Sequence, residues 1–186
     1  MPDTLKVARS ELLLGSDEAA KHAHARRLAQ AWIQADPCHR VVVVRTAHAG
    51  ASSRDTREQQ VTMEEPTELA HALGANSRAD TLIIVDCLTL WLTASMVRAM
   101  LPDASDAYMA AGAPTRVVPL ADAVRACAGP LVLVSDQGPG DGAGRGSSDH
   151  QQLQRTLAQL QQEAVAACAR VTLVSATQVM TLKDAT

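Results

Sequence analysis

Four aliphatic residues, Leu82–Val85, end abruptly in Asp86 and run straight into the helix-forming stretch CLTLWL. An apolar run this short, with no polar alternation, suits a strand covered by helices on both faces, as in a parallel sheet. ELLLG (Glu11–Gly15), Val41–Val44 and LVLVS (Leu131–Ser135) have the same character. VTLVS (Val171–Ser175), Val179–Lys183 and a short segment at Val61–Met63 extend the series. Between them lie helix-forming segments at Asp17–Ala35, Pro66–Leu73, Cys87–Met100, Pro119–Ala128 and Asp149–Ala169. Strands alternating with helices of this length imply an α/β fold with a mostly parallel, doubly wound sheet. With no internal repeat and no long linker, residues 1–186 read as one domain.

Side-chain periodicity assigns faces. In the first helix Ala20, Ala23, Leu28, Ala31 and Trp32 are expected to point inward. In the last, Leu153, Leu157 and Leu160 are expected inward, with Gln151, Gln152, Gln154, Gln159, Gln161 and Gln162 in water. Aromatic residues are only 2% of the chain, so the core must be aliphatic.

Composition narrows the function. The 17 basic and 20 acidic residues are mixed along the chain, which leaves no broad electrostatic footprint for nucleic acid. No apolar run approaches the roughly 18 residues that span a bilayer, and the N-terminus lacks a signal-peptide pattern. Cys38, Cys87, Cys127 and Cys168 show no C-x-x-C spacing and read as reduced thiols, which makes a cytoplasmic protein the expectation.

Open α/β sheets keep their ligands at the carboxyl ends of the strands. Asp86 ends such a strand, and it reads equally as a functional carboxylate or as the cap of the next helix. Gly15–His22, GSDEAAKH, joins the first strand to the first helix. Against the phosphate-loop pattern G-x-x-x-x-G-K-[ST], Gly15 and Lys21 hold the required spacing, Ala20 replaces the second glycine and His22 the hydroxyl residue. Taken alone, this partial match is a strand-to-helix turn with an exposed lysine. Asp17 and Glu18 add two carboxylates; like charges about 4 Å apart cost roughly 1 kcal/mol in water and about 4 at an effective dielectric near 20. Glycines at 138, 140, 142, 144 and 146 suit either an anion-binding nest or lid, or a loose surface loop with Arg145 as its anion-binding side chain.

Five segments occur in an order that resembles a known family: ELLLG-x5-K, EEPTELAHAL (Glu64–Leu73), VDCLTLWL (Val85–Leu92), LVLVS, and LAQLQQEAVAACARVTLVSATQVMTLK (Leu157–Lys183). Together they resemble the bifunctional adenosylcobinamide kinase / adenosylcobinamide-phosphate guanylyltransferase family of cobalamin biosynthesis, with VDCLTLWL the most specific. The resemblance implies a P-loop NTPase (RecA-like) sheet and a ring-like homo-oligomer. It also implies phosphorylation of adenosylcobinamide by a nucleoside triphosphate, then transfer of GMP from GTP to adenosylcobinamide phosphate through a guanylyl-histidine. By position, Gly15, Ser16, Ala20, Lys21 and His22 would face the phosphates of GTP or ATP, and Asp86 would hold Mg²⁺.

The departures fall in the chemical segments. The family has G-G-A-R-S-G-K-S at the first turn, and a helix with a histidine-arginine pair where this chain has the shorter TAHAGASSRDTREQQ (Thr46–Gln60). His48 is the one histidine left there: a weak candidate nucleophile, or a surface-loop residue. After LVLVS the family's N-E-V-G becomes Asp136-Gln137-Gly138-Pro139, with Gln137 in reach of the site rim. Three functions follow as expectations: a working kinase/guanylyltransferase, a weakened or inactive relative that binds corrinoid, nucleotide or an active homologue, and a structural subunit.

Overall fold

The computed structural model describes residues 6–45, 58–62, 69–99, 120–136 and 148–185. In chain order the elements are β1 (Ser10–Gly15), α1 (Glu18–Ala35), β2 (Arg40–Arg45), β3 (Glu58–Thr62), α2 (Leu69–Asn76) and β4 (Thr81–Asp86). There follow α3 (Leu88–Ala99), α4 (Leu120–Ala126), β5 (Leu131–Asp136), α5 (Ser148–Ala167), β6 (Arg170–Val174) and β7 (Val179–Asp184). The strands form one sheet in the order β3-β2-β4-β5-β1-β6-β7. All neighbours are parallel except β6 and β7, which form an antiparallel pair with an irregularity between Val171 and Thr172. The doubly wound α/β expectation is met.

The unbroken aliphatic runs are explained by burial on both faces. Leu12, Val42, Val44, Ile83, Val85, Leu131 and Leu133 face α2 to α5, where Leu73, Leu88, Val124, Leu157 and Ala164 meet them. Their alternates Leu13, Val41, Val43, Leu82, Ile84, Val132 and Val134 face α1. Successive strand residues point to opposite sides, so each run feeds two cores.

The inward face of α1 differs from the expected one. Leu28 is buried as anticipated, but the other buried residues are Lys21, His24, Ala25, Ala29 and Ile33. Ala23 is exposed, and Ala20, Ala31 and Trp32 are half-buried. The face turned because two polar residues on it have partners inside. One is Lys21. The other, His24, lies 3.8 Å from the buried carboxylate of Glu11, which also accepts a 2.6 Å hydrogen bond from Thr172 Oγ1. At the far end of α1, Trp32 stacks on His39 and donates through Nε1 to Arg40 O, tying the helix to β2.

Several expectations lie outside the described residues: His48, most of Thr46–Gln60, the start of the Pro66 helix, the 101–118 loop, and the glycine-rich loop with Gln137 and Arg145.

Candidate functional site

Strand register assembles the site. Gly15 of β1 pairs with Asp136 of β5, and Asp86 of β4 pairs with Val134 of β5 and with Arg45 of β2. The carboxyl ends of four parallel strands therefore meet along one rim, with the N-terminus of α1 rising from it. Gly15 is fixed by packing, since a Cβ there would lie 2.1 Å from Val174 O. This close approach requires glycine whether or not a phosphate is bound.

Between Gly15 and the first helical residue, Glu18, stand only Ser16 and Asp17. Most of GSDEAAKH is thus the first turns of α1. Asp17 is its N-cap: Oδ1 accepts a 2.9 Å hydrogen bond from Ala20 N, and its carbonyl accepts Lys21 N at 3.1 Å. One backbone donor at the helix start that could meet an anion, Ala20 N–H, is here satisfied by the chain's own carboxylate. Glu18 is exposed in the first turn, where the helix dipole favours it.

Lys21 does not reach solvent. Its side chain is 1% exposed, and Nζ donates to Ser135 O at 3.2 Å and forms a short ion pair with Asp136 Oδ1. Asp136 is held in turn: its N–H donates to Thr89 Oγ1 at 3.1 Å, and Gln161 Nε2 donates to the neighbouring Ser135 Oγ at 3.1 Å. The neighbouring residue on α1, His22, places Nε2 2.8 Å from Asp86 Oδ1. Asp86 thus bonds across the rim to α1. Beside Asp136 an open groove of about 380 Å³ runs along α5, lined by Leu14, Ala158, Gln161, Gln162, Val165 and Ala166.

Of the residues singled out in the sequence, Gly15, Lys21, His22 and Asp86 come together at this rim. Ser16 is exposed in the turn, and Ala20 contributes its N–H to the cap. Asp136, Thr89, Gln161 and Arg45 were not anticipated. The glutamine face of α5 is not wholly solvated, because Gln161 turns to the sheet. Its signal is periodic: it stands one helical turn after Leu157 and beside Leu160, both buried. Asp136 had a fainter signal, a carboxylate ending an apolar strand just as Asp86 does.

Among the described residues, no group of three or more His, Cys, Asp or Glu side chains is arranged to hold a metal by itself. Burial pushes the Cys87 thiol up, and the nearby Asp136 and Asp86 carboxylates add to this, so it is a poor nucleophile despite its place beside Asp86.

Comparison with known proteins gives this geometry a context. The family model described as cobinamide kinase / cobinamide phosphate guanyltransferase matches residues 12–182. The bifunctional adenosylcobalamin biosynthesis protein CobP of Pseudomonas aeruginosa is 36% identical over 92 residues, which cover 45% of this chain and 50% of that protein. The match thus spans about half the length of this curated relative. A solved Pyrococcus horikoshii protein shares the fold with a TM-score of 0.51 at 6% identity, over 98% of this chain and 90% of that one.

Proposed function

Because the chain belongs to the cobinamide kinase / cobinamide phosphate guanyltransferase family of cobalamin biosynthesis, we propose that it works at the family's step. It would phosphorylate adenosylcobinamide from GTP or ATP and then transfer GMP from GTP to the phosphate. The observation that carries this reading is the convergence of Lys21, His22, Asp86 and Asp136 on one rim at the strand ends. Lys21 is the ammonium that would meet the phosphates, by leaving Asp136 for them. Gly15, Ser16, Ala20 and His22 would border the same ligand. His48, outside the described residues, is put forward as the acceptor of GMP on its place in the sequence alone.

The resting geometry supports a second reading, a weakened member retained as a corrinoid- or nucleotide-binding partner. Asp17 occupies the helix start and Asp136 holds the lysine, so a triphosphate must displace or outbid two carboxylates. Magnesium, which the family reaction implies, does not fit these residues. The hydroxyl that would ligate it is replaced by an imidazole already bonded to the Asp86 carboxylate.

A cytoplasmic homo-oligomer completes the proposal. Edge strand β7 leaves Val179, Met180 and Leu182 exposed, and light scattering would reveal whether copies cover them. Calorimetric titration with GTP and with ATP tests the main reading. Micromolar binding that disappears in Lys21→Ala supports the enzyme; no heat up to millimolar nucleotide sinks it and leaves the binding partner.

A further inference from the structure

The end of β5 is gripped from two helices. Gln161 of α5 donates through Nε2 to Ser135 Oγ at 3.1 Å and to Asp136 O, and Asp136 N–H donates to Thr89 Oγ1 of α3 at 3.1 Å. We infer that Gln161 and Thr89 are positioning residues: together they fix the Ser135–Asp136 backbone so that the Asp136 carboxylate stays on Lys21. The inference rests on these contacts; that Lys21 would serve a phosphate rests on the reading above.

The grip falls on the segment that holds the lysine. Lys21 Nζ donates to Ser135 O at 3.2 Å and pairs with Asp136 Oδ1, so its two acceptors belong to successive residues. A shift of that segment disturbs both contacts at once. The Asp136 side chain is half-exposed, and water competes for its carboxylate. What decides whether the carboxylate stays is the direction its backbone gives it. That backbone is held at its N–H from α3 and at its carbonyl from α5.

Side-chain chemistry suits the task. Ser135 Oγ and Asp136 O both accept, and the glutamine amide carries two hydrogens on one uncharged nitrogen. A glutamate at 161 would offer only acceptors, and a lysine would place a second ammonium near Lys21. Ser135 Oγ also lies 3.3 Å from Thr89 Oγ1, so the two helices meet on one hydroxyl of a fully buried residue. Docking of α5 does not need Gln161, since Leu157, Leu160 and Ala164 already pack into the core. Gln159, by contrast, turns its amide to Glu163 at the surface.

The test reads Lys21 directly in the full chain. Gln161→Met keeps the length and removes the donors, and Thr89→Val keeps the shape and removes the hydroxyl. Acylation of lysines by acetic anhydride is followed by mass spectrometry, with Lys6 and Lys183, the other two lysines, as references. Each substitution should speed labelling of Lys21 about fivefold, the effect of one lost neutral hydrogen bond, and leave the references unchanged. In an Asp136→Asn background the gain should fall below about twofold, because the effect runs through the same contact. Wild-type labelling in either variant, even with a lower Tm, would show a plain tie between helix and strand and overturn the inference. So would a gain that persists undiminished beside Asp136→Asn. Should Gln161→Met not fold, Thr89→Val decides. Calorimetry with GTP on the same proteins separates the two readings. Tighter binding by the loosened variants upholds both. GTP that binds none of them, or all of them equally, removes the phosphate role of Lys21 and leaves the positioning role standing on the labelling.

Discussion

Asp136→Asn is the substitution whose outcome says most about the rim. Asp136 is the only carboxylate paired with Lys21 among the described residues, and it competes for the group that would meet a phosphate. The lysine end of the pair is buried at 1% exposure and the aspartate end is 46% exposed. Adjacent unit charges attract by about 1 kcal/mol in water and by about 4 at an effective dielectric near 20; this half-open pair falls between, near 2 kcal/mol. Removing the charge should lower stability by about 1–2 kcal/mol, or roughly 2–8 °C in Tm for a chain of this size. The same energy is then no longer opposed when an anion approaches Lys21. Affinity for GTP or pyrophosphate should rise by about 5- to 30-fold, at about 1.4 kcal/mol per decade. Calorimetry on wild type and Asp136→Asn, with thermal melts on both, reads the two effects together. If Asp136→Asn binds either ligand no better than wild type while melting lower, Asp136 only anchors the lysine and the competition argument is wrong. Lys21→Met removes both partners' charge coupling and should erase any gain.

Three further perturbations follow from named contacts. Asp17→Ala deletes the cap on Ala20 N and should cost about 1 kcal/mol in urea unfolding, whereas Asp17→Ser, which keeps a capping oxygen, should cost less than half of that. Gly15→Ala places a Cβ 2.1 Å from Val174 O and should destabilise by about 3 kcal/mol or more; a loss under about 1 kcal/mol in the same assay would show that β1 and β6 can part there. Burial drives the Cys168 thiol up to about 12 from an ordinary 9.0, so the folded chain keeps a proton that the unfolded chain loses. Its contribution is complete below pH 9 and is lost as pH rises toward 12, about 1.4 kcal/mol per unit. Urea midpoints at pH 8 and pH 10.5 should therefore fall further in wild type than in Cys168→Ala.

The sheet could be read from the sequence because its signal is local. Leu82–Val85, Val41–Val44 and Leu131–Val134 are buried on both faces, and that demand writes itself as an unbroken apolar run. Strand order and the antiparallel β7 had no such local mark. The site was half legible for the same reason. Gly15, Lys21 and Asp86 could be found by spacing, but the partner of Lys21 lies 115 residues away and that of His22 lies 64 away. A buried lysine also defeats hydropathy. Reading α1 by its apolar residues put Ala23 and Ala31 inward, when the face was set by Lys21 and His24 and by the carboxylates waiting for them.

Those pairings change what the departures from the family pattern mean. Taken one by one, Asp17, Ala20 and His22 look like losses from a phosphate loop. In the folded chain each is matched: Asp17 with the N–H of Ala20, Lys21 with Asp136, and His22 with Asp86. A loop that had merely decayed would leave Lys21 or Asp86 to water, because nothing would hold the partners in place. Here a helix beginning at Glu18 replaces a cradle of backbone donors, and side-chain pairs replace the anion and cation that a cradle would hold. The substitutions therefore act as a set. Reverting His22 to serine alone takes the imidazole off the Asp86 carboxylate but leaves the helix start capped and Lys21 engaged. Recovering a magnesium-nucleotide site requires breaking all three pairs together.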